Sequence, residues 1–128
     1  MKLRIFENTL RLRLKQSEVE KIGRGQGIVE CMPFPGMNFT YRLDVADIEQ
    51  ASGLFHNGTM TVVLPQSIAR SWADSDQVSI VTVLTLSDNE RLSLLIEKDF
   101  KCLSPGQHRS GAEDSDTFAH PNEREGGC

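Results

Sequence analysis

The chain has 128 residues, of which 25% are charged, and a formal net charge of −4 at pH 7. This length is enough for one domain with a buried core. There is no apolar run of about 18 residues and no short apolar segment with a cleavage site, so the sequence predicts neither a membrane span nor a secretory signal. We therefore expect a cytoplasmic protein without a membrane partner.

The cysteines and the charges narrow the class further. Cys31, Cys102 and Cys128 are odd in number and far apart, which predicts free thiols instead of a disulfide framework or a structural zinc site. Residues 1–24 hold seven Lys and Arg against three Glu, whereas residues 103–128 hold two Arg against five Asp and Glu. This split indicates an anionic partner for the basic end, a cationic partner for the acidic end, or contact between the two ends.

The first half of the chain reads as hairpin, short helix, hairpin. Polar and apolar residues alternate from Lys2 to Phe6 and again from Leu10 to Leu14, which predicts two paired strands. The spacing of Ser17 and Glu20 predicts a capping box at the start of a helix, and Gly23 and Gly25 predict its end. Strands at 28–32 and 39–43 then flank a turn at Pro33–Gly36.

The second half repeats this order. Asn57-Gly58 predicts a tight hairpin. The following strand, 60–64, leads into Pro65 at the first turn of a helix that we expect to bury Ile68 and Trp72. Strands at 78–86 and 91–97, around a turn at Ser87–Asn89, complete the second half.

An offset of 50 residues relates the two halves. Four of thirty residues are identical when 1–30 are laid over 51–80, and six aligned positions in the strands and the helix are apolar in both halves. We interpret this as an internal duplication with pseudo-repeats 1–50 and 51–100; the alternative is that any two strand, helix, strand segments would match this well. The apolar pairs are Ile5 with Phe55, Leu10 with Met60, Leu12 with Val62, Leu14 with Leu64, Ile22 with Trp72 and Ile28 with Val78.

Residues 104–128 have a different composition. They contain Ser, Gly and Pro, the acidic run Glu113-Asp-Ser-Asp116, and Phe118 as their one bulky apolar residue. Such a segment lacks the apolar surface needed to form a core. We predict one β-rich domain over residues 1–103 and a flexible acidic tail over 104–128.

A motif in the second half resembles a known family. Gly58, the run Thr61-Val-Val-Leu-Pro65, a short helix with Arg70, the step Asp76-x-Val78-x-Ile80 and the strand Leu92-x-Leu94 are similar to the swapped-hairpin domains of AbrB-like transition-state regulators and several antitoxins. The first half looks like the same unit with Lys15 in place of the proline. Those families pair two chains into one interlaced barrel, so the resemblance implies a pseudo-dimer within this chain.

The whole chain also resembles a small bacterial family of uncharacterised proteins, a resemblance that implies no activity. It rests on Leu10-Arg-Leu-Arg-Leu, Ser17-Glu-Val, Trp72-Ala-Asp-Ser-Asp-Gln-Val, Glu97-Lys-Asp-Phe, and the tail residues Glu113-Asp-Ser-Asp and His120-Pro. Taken together, these observations predict an α+β, mostly β fold in which two hairpin, short helix, hairpin units close a compact AbrB-like barrel.

One set of residues is a candidate anion site. If Leu10, Leu12 and Leu14 face the core, five cations share the opposite face of the first hairpin. Like charges across strands repel each other, so the arrangement suggests a compensating anion such as a nucleic acid, an acidic protein or the protein's own tail. Alternatively, Glu30 and Asp44 on neighbouring strands neutralise the surface. The five cations are Lys2, Arg4, Arg11, Arg13 and Lys15.

Two observations count against a protein that recognises duplex DNA through these cations. The tail also contains a second candidate site. Thr61 and Val63 replace Arg11 and Arg13 in the second half, so the basic surface lacks two-fold symmetry, and the pI of about 5.3 disfavours strong non-specific binding. In the tail, carboxylates and an imidazole lie close enough in sequence to ligate a divalent metal, but the signal is weak and a solvated acidic tail is the simpler explanation. These residues are Asp114, Asp116 and His120.

No catalytic set emerges from the sequence, because no nucleophile with a base, carboxylate pair or phosphate-binding glycine loop is evident. We therefore expect a non-enzymatic binding or regulatory module without a cofactor, either monomeric or homodimeric. Its basic hairpin would bind an anionic partner, either a protein or a nucleic acid. The alternative is a scaffold whose acidic tail binds a protein or a divalent metal.

Overall fold

The computed structural model describes residues 1–85 and 90–100, which form eight strands and two short helices. The tail at 101–128, with Cys102 and Cys128, and the turn expected at 87–89 lie outside the described residues. In the first half the elements are β1 (Lys2–Phe6), β2 (Thr9–Leu14), α1 (Gln16–Gly23), β3 (Ile28–Met32) and β4 (Phe39–Ala46). In the second half they are β5 (Ser52–His56), β6 (Thr59–Pro65), α2 (Gln66–Ala73), β7 (Ser79–Thr85) and β8 (Arg91–Lys98).

The mostly β composition and the order hairpin, helix, hairpin are confirmed in both halves. The strands form because their apolar residues alternate: Leu10, Leu12 and Leu14 are buried while the residues between them are half-buried. Two-residue turns connect β1 to β2 and β5 to β6, since Phe6 pairs with Thr9 and His56 with Thr59. Both turns begin with a residue in the left-handed region.

The strands exchange partners between the two halves. The first sheet has the order β1-β2-β8-β7, so the first hairpin of one half joins the second hairpin of the other. The second sheet, β3-β4-β6-β5, is built in the same way from the remaining hairpins. In each sheet the hairpins meet through a parallel pair, β2 with β8 and β4 with β6, while all other pairs are antiparallel.

The predicted closed barrel is wrong for the described residues, which form two open four-stranded sheets. Closure would require backbone hydrogen bonds between edge strands of different sheets. At β5 and β7 the sheets instead meet through side-chain packing. The side chain of Leu84 in β7 lies against Gly53 in β5 and occupies the space that a side chain at residue 53 would need. The strand ladders therefore end at these edges.

The core lies between the two sheets and beneath the helices. Trp72 is fully buried, as predicted, and its indole N–H donates a hydrogen bond to the carbonyl of Val78 at 3.2 Å. The helices pack closely, since a side-chain carbon at Gly23 would lie 2.7 Å from the Cβ of Ala73. The other large fully buried aliphatic residues come from both halves: Leu12, Leu14, Ile22, Leu43, Val62, Leu64, Leu84, Leu94 and Ile96.

Two local predictions need correction. Helix α1 begins after Lys15, whose backbone N–H donates to Glu18 Oε1 at 2.9 Å, so the Ser17–Glu20 capping box is wrong. Ile68 is exposed, and Ala69 takes the buried position in α2. The buried face of α2 is set by Ala69 and Trp72, which are three residues apart, and not by Ile68 and Trp72, which are four apart. With the helix in this rotation, Ile68 points toward solvent.

Helices α1 and α2 are related by the offset of 50 residues. The same offset relates Glu7 and Asn57, which both have positive φ. It fails at the next strand. Ile28 in β3 is buried, but Val78 precedes β7 and is exposed, while Ile80 is buried. The loop after α2 is one residue longer than the loop after α1, and the first buried position of the following strand is displaced by two residues. None of the described helices is long and apolar enough to cross a membrane.

The burial of Leu12 and the exposure of Leu54 predict that the same substitution, leucine to alanine, lowers the free energy of unfolding by different amounts at the two positions. Leu12→Ala should lower the free energy of unfolding by about 2–5 kcal/mol, because Leu12 is 0% exposed beside the parallel pair and its loss leaves a cavity. Leu54→Ala, at a residue 67% exposed, should change the free energy by about 0.5 kcal/mol or less. Urea unfolding measures both, and equal costs would contradict this placement of the core.

Candidate anion-binding site

Four of the five predicted cations lie together on the outer face of the first sheet. We call Lys2, Arg4, Arg11 and Arg13 the basic patch. The hairpin register places Lys2 opposite Arg13 and Arg4 opposite Arg11, because side chains directly across an antiparallel pair share a face. The patch lines a depression of about 320 Å³ together with Leu3.

Lys15 does not belong to this patch. It lies beyond the end of β2, at the N-cap of α1, and has no partner in the hairpin register. Pro65 holds the corresponding N-cap position before α2. The predicted five-residue surface is therefore reduced to four.

The neutralising carboxylates come from β8 and the residue just after it, and the sequence did not indicate that this strand lies beside β2. Arg13 donates from Nε and Nη2 to Glu97 Oε1, at 3.1 and 3.0 Å, and Arg11 Nε lies 3.2 Å from the same oxygen. Lys2 Nζ lies 3.3 Å from Asp99 Oδ2. Both carboxylates reach the patch because β8 runs parallel to β2, with Glu97 directly beside Arg13.

The predicted neutralisation by Glu30 and Asp44 is wrong, because both have other partners in the second sheet. Asp44 lies 3.3 Å from Arg42 Nε on the same strand. Glu30 accepts a hydrogen bond from the amino group of Met1 at 2.8 Å. Neither carboxylate forms an ion pair with the basic patch within the described part of the chain.

Positive charge remains after this pairing. Among the described residues, the four cations of the patch face two carboxylates, Glu97 and Asp99, which leaves a local balance of +2. Arg4 forms no ion pair with any residue in 1–85 or 90–100 and is exposed. It lies opposite Arg11, so the uncompensated charge is greatest at this pair.

The same position on the second sheet is almost neutral. Thr61 and Val63 replace Arg11 and Arg13, and Ser52 and Leu54 replace Lys2 and Arg4. The nearby Arg42 is paired with Asp44. The two sheets therefore share a backbone arrangement but differ in the charge of their outer faces.

An apolar groove lies at the open end of the sandwich and is separate from the patch. Its volume is about 450 Å³, and none of the described residues that line it is charged. Ile5 and Phe55 are exposed here although they belong to the inward-facing side of β1 and β5. Its described lining residues include no cationic group that could supply the electrostatic part of an anion site.

A charged cluster fixes the start of β1 beside the patch. The amino group of Met1 donates to Glu18 Oε2 at 2.6 Å as well as to Glu30, and the Tyr41 hydroxyl donates to the Met1 carbonyl at 2.9 Å. Burial opposes the charge on the amino group, but hydrogen bonds and charge from both carboxylates raise its pKa above 8.0. The cluster joins β1 to α1, β3 and β4.

The same contacts shift the other titratable groups of the cluster. Burial opposes ionisation of Glu18, but hydrogen bonds from the Met1 amino group and the Lys15 N–H outweigh it, so the pKa of Glu18 is lowered below 4.5. Burial, followed by the charges of Glu30 and Glu18, raises the pKa of Tyr41 above 10.0. These shifts show that the charged forms of Glu18 and the amino group are favoured in the fold.

The predicted metal ligands Asp114, Asp116 and His120 lie outside the described residues. Within the described residues, no three His, Cys, Asp or Glu side chains come together in a way that could hold a metal ion. His56 ends β5 and is exposed, as is Cys31. The alternative site in the tail stays a prediction.

Comparisons with known proteins place the chain in a group without an assigned activity. A model described as a family of unknown function (DUF7009) matches residues 1–122. No curated protein matches the chain, and no solved structure does.

The amino-group cluster predicts a pH dependence that Glu18→Gln should remove in part. Glutamine can still accept from the Lys15 N–H but carries no charge. The stabilisation from Glu18 is present above pH 4.5 and is lost as the pH falls through its lowered folded pKa. The stabilisation from the amino group is present below pH 8.0 and is lost as the pH rises through its raised folded pKa.

The difference in stability between wild type and Glu18→Gln should therefore be largest between pH 4.5 and 8.0 and should shrink on both sides. Urea unfolding across this range measures it. Glu20→Gln is the matched control, because Glu20 is exposed on the same helix. A difference that is independent of pH would show that the charges of the cluster do not stabilise the fold.

Proposed function

We propose a function for this chain, which belongs to the family of unknown function DUF7009: its basic patch binds the phosphate groups of a nucleic acid. The observation that carries this proposal is the pairing of Arg4 with Arg11 across the β1–β2 hairpin, where Arg4 has no carboxylate partner among the described residues. Two adjacent like charges destabilise a sheet. A bound anion would remove that cost.

The chemistry of the patch favours phosphate as the anion. Three of its four cations are arginines, whose planar guanidinium groups offer several N–H donors in a geometry that suits phosphate oxygens. They project from paired strands, which hold their spacing more firmly than a loop would. A row of such donors suits a ligand with repeating phosphates.

The negative net charge does not prevent this interaction, because screening limits the reach of distant charges. At physiological ionic strength the screening length is about 8 Å. A ligand at the patch therefore responds mainly to the four cations and to Glu97 and Asp99. We expect binding of modest affinity with a marked dependence on salt.

We further infer that the two halves arose by duplication of one swapped-hairpin unit of the AbrB-like kind. Support comes from the shared element order, the offset of 50 between α1 and α2, and the exchange of hairpins between the sheets. In this account Arg11 and Arg13 mark the half that carries the nucleic-acid contact, while Thr61 and Val63 mark the half that lost or never acquired it. The non-enzymatic assignment stays a prediction, as does a protein or metal partner for the tail.

The proposal predicts opposite effects for two substitutions in one site. Arg4→Gln should weaken binding to a short DNA duplex, and it should reduce the slope of log affinity against log salt by about 1, because one phosphate contact is removed. Glu97→Gln should strengthen binding, because it frees Arg11 and Arg13 from their shared carboxylate. Fluorescence anisotropy over a salt series measures both.

Arg42→Gln provides the matched control, since it makes the same change of residue on the outer face of the second sheet. It should leave the affinity and the salt slope near the wild-type values. Absence of wild-type binding at low salt would overturn the proposal. So would an equal loss of affinity in Arg4→Gln and Arg42→Gln, because binding would then follow net charge and not the patch.

A further inference from the structure

Strand β7 is an unusual edge strand. The edges of the two sheets are β1 and β7 in the first and β3 and β5 in the second. Three of these carry ionisable side chains: Lys2 and Arg4 in β1, Glu30 in β3 and His56 in β5. β7 is seven residues long and has none. Charged residues are a common means of keeping sheet edges from pairing, so β7 lacks a usual protection.

The backbone of β7 also has hydrogen-bonding groups free for pairing. The N–H of Lys98 donates to the carbonyl of Val78 at 3.0 Å, which sets the alternation of the antiparallel β7–β8 ladder. Ile80, Thr82 and Leu84 therefore direct their backbone groups toward β8. Val81 and Val83 direct theirs toward the open edge, where no backbone partner is present within the described residues.

The sequence of β7 is self-complementary. From Ile80 to Leu84 it reads Ile-Val-Thr-Val-Leu, which has the same chemistry in both directions around Thr82. If two such strands pair antiparallel with Thr82 at the centre, valine faces valine and isoleucine faces leucine. A two-fold interface requires this kind of self-complementary patch.

We propose that β7 pairs antiparallel with β7 of a second copy of this chain, joining the two first sheets into one eight-stranded sheet. In this register the edge-directed backbone groups of Val81 meet those of Val83 in the second copy. The outward side chains gain neighbours as well, since Val81 is 77% and Val83 is 47% exposed in the single chain. No charge in β7 opposes the approach.

Space is present beside the strand. Ile80, Thr82 and Val83 line a cavity of about 390 Å³ together with residues 49–51 of the β4–β5 linker. The linker therefore does not fill the region alongside β7. On the outer face, Leu95 of β8 adjoins Val81 and extends the apolar surface inward from the edge.

This dimer has a consequence that rests on the proposed function. Residues directly across a pair of strands lie on the same face, so both basic patches would lie on one side of the joined sheet. With strands about 4.8 Å apart, the two β2 strands would be about 24 Å apart and the two β1 strands about 34 Å apart. The dimer would thus supply the two-fold symmetry of basic surfaces that a single chain lacks.

The mass of the protein in solution tests the pairing without any nucleic acid, so its outcome is independent of the proposed function. Light scattering during size-exclusion chromatography, over a concentration series, should approach twice the chain mass of 14.3 kDa for the full wild-type chain. Val81→Lys should return the mass to that of one chain, because each chain would then place a charged side chain opposite Val83 of the second copy. Circular dichroism should show that the variant keeps its fold.

Val29→Lys is the matched control. Val29 is 54% exposed on β3, the edge strand of the second sheet that corresponds to β7. It should keep the wild-type mass. A wild-type chain that stays monomeric throughout the series would overturn the proposal, and so would a dimer that persists in Val81→Lys or is lost equally in both variants.

Discussion

The parallel pairings of β2 with β8 and of β4 with β6 are the interactions on which the rest of the structure depends. Each joins a hairpin from one half of the chain to a hairpin from the other, and each spans six or seven residue pairs. The buried side chains of the paired strands, among them Leu12, Ile96, Leu43 and Val62, meet in the core because of these pairings. Neither half could bury its apolar face alone with the same strands.

The β2–β8 pairing also sets the charge of the outer face. It brings Glu97 beside Arg13 and within reach of Arg11, so that one carboxylate serves two guanidinium groups. Arg4, one strand further out on β1, lies beyond this partner. The uneven neutralisation is thus a direct result of strand order, and it leaves the greatest positive charge at the outer edge of the sheet.

Local features of the fold could be predicted from the sequence because they depend on neighbouring residues. Alternation in Leu10 to Leu14 predicted a strand with one buried side, and Asn57-Gly58 predicted a tight turn. The burial of Trp72 followed from its size and its position on a short amphipathic helix. The four cations of the basic patch could also be placed on one face, because the face on which each side chain of a hairpin lies depends only on the alternation along its two strands and on the turn between them.

Features that depend on distant pairing could not be predicted in this way. Glu97 reads as the end of a strand in the sequence, and nothing local indicates that this strand lies beside β2. Because side chains alternate along β8 and Ile96 is buried, Glu97 could be predicted to face outward. The alternation does not indicate which residue Glu97 contacts. The closed barrel failed for the same reason, since closure depends on edges that meet only in the folded chain. The two-residue shift between Ile28 and Ile80 arose in a loop, where length is weakly constrained.

The central claim is that the outer face of the first sheet, and not net charge or the apolar groove, recognises an anion. Backbone amide chemical shifts recorded during titration with a short DNA duplex test it most directly. The account predicts shifts concentrated in β1, β2 and the Glu97 end of β8, with the corresponding strands β5 and β6 almost unchanged. Shifts that are spread evenly over both sheets, or centred on the groove at Phe55, would contradict it.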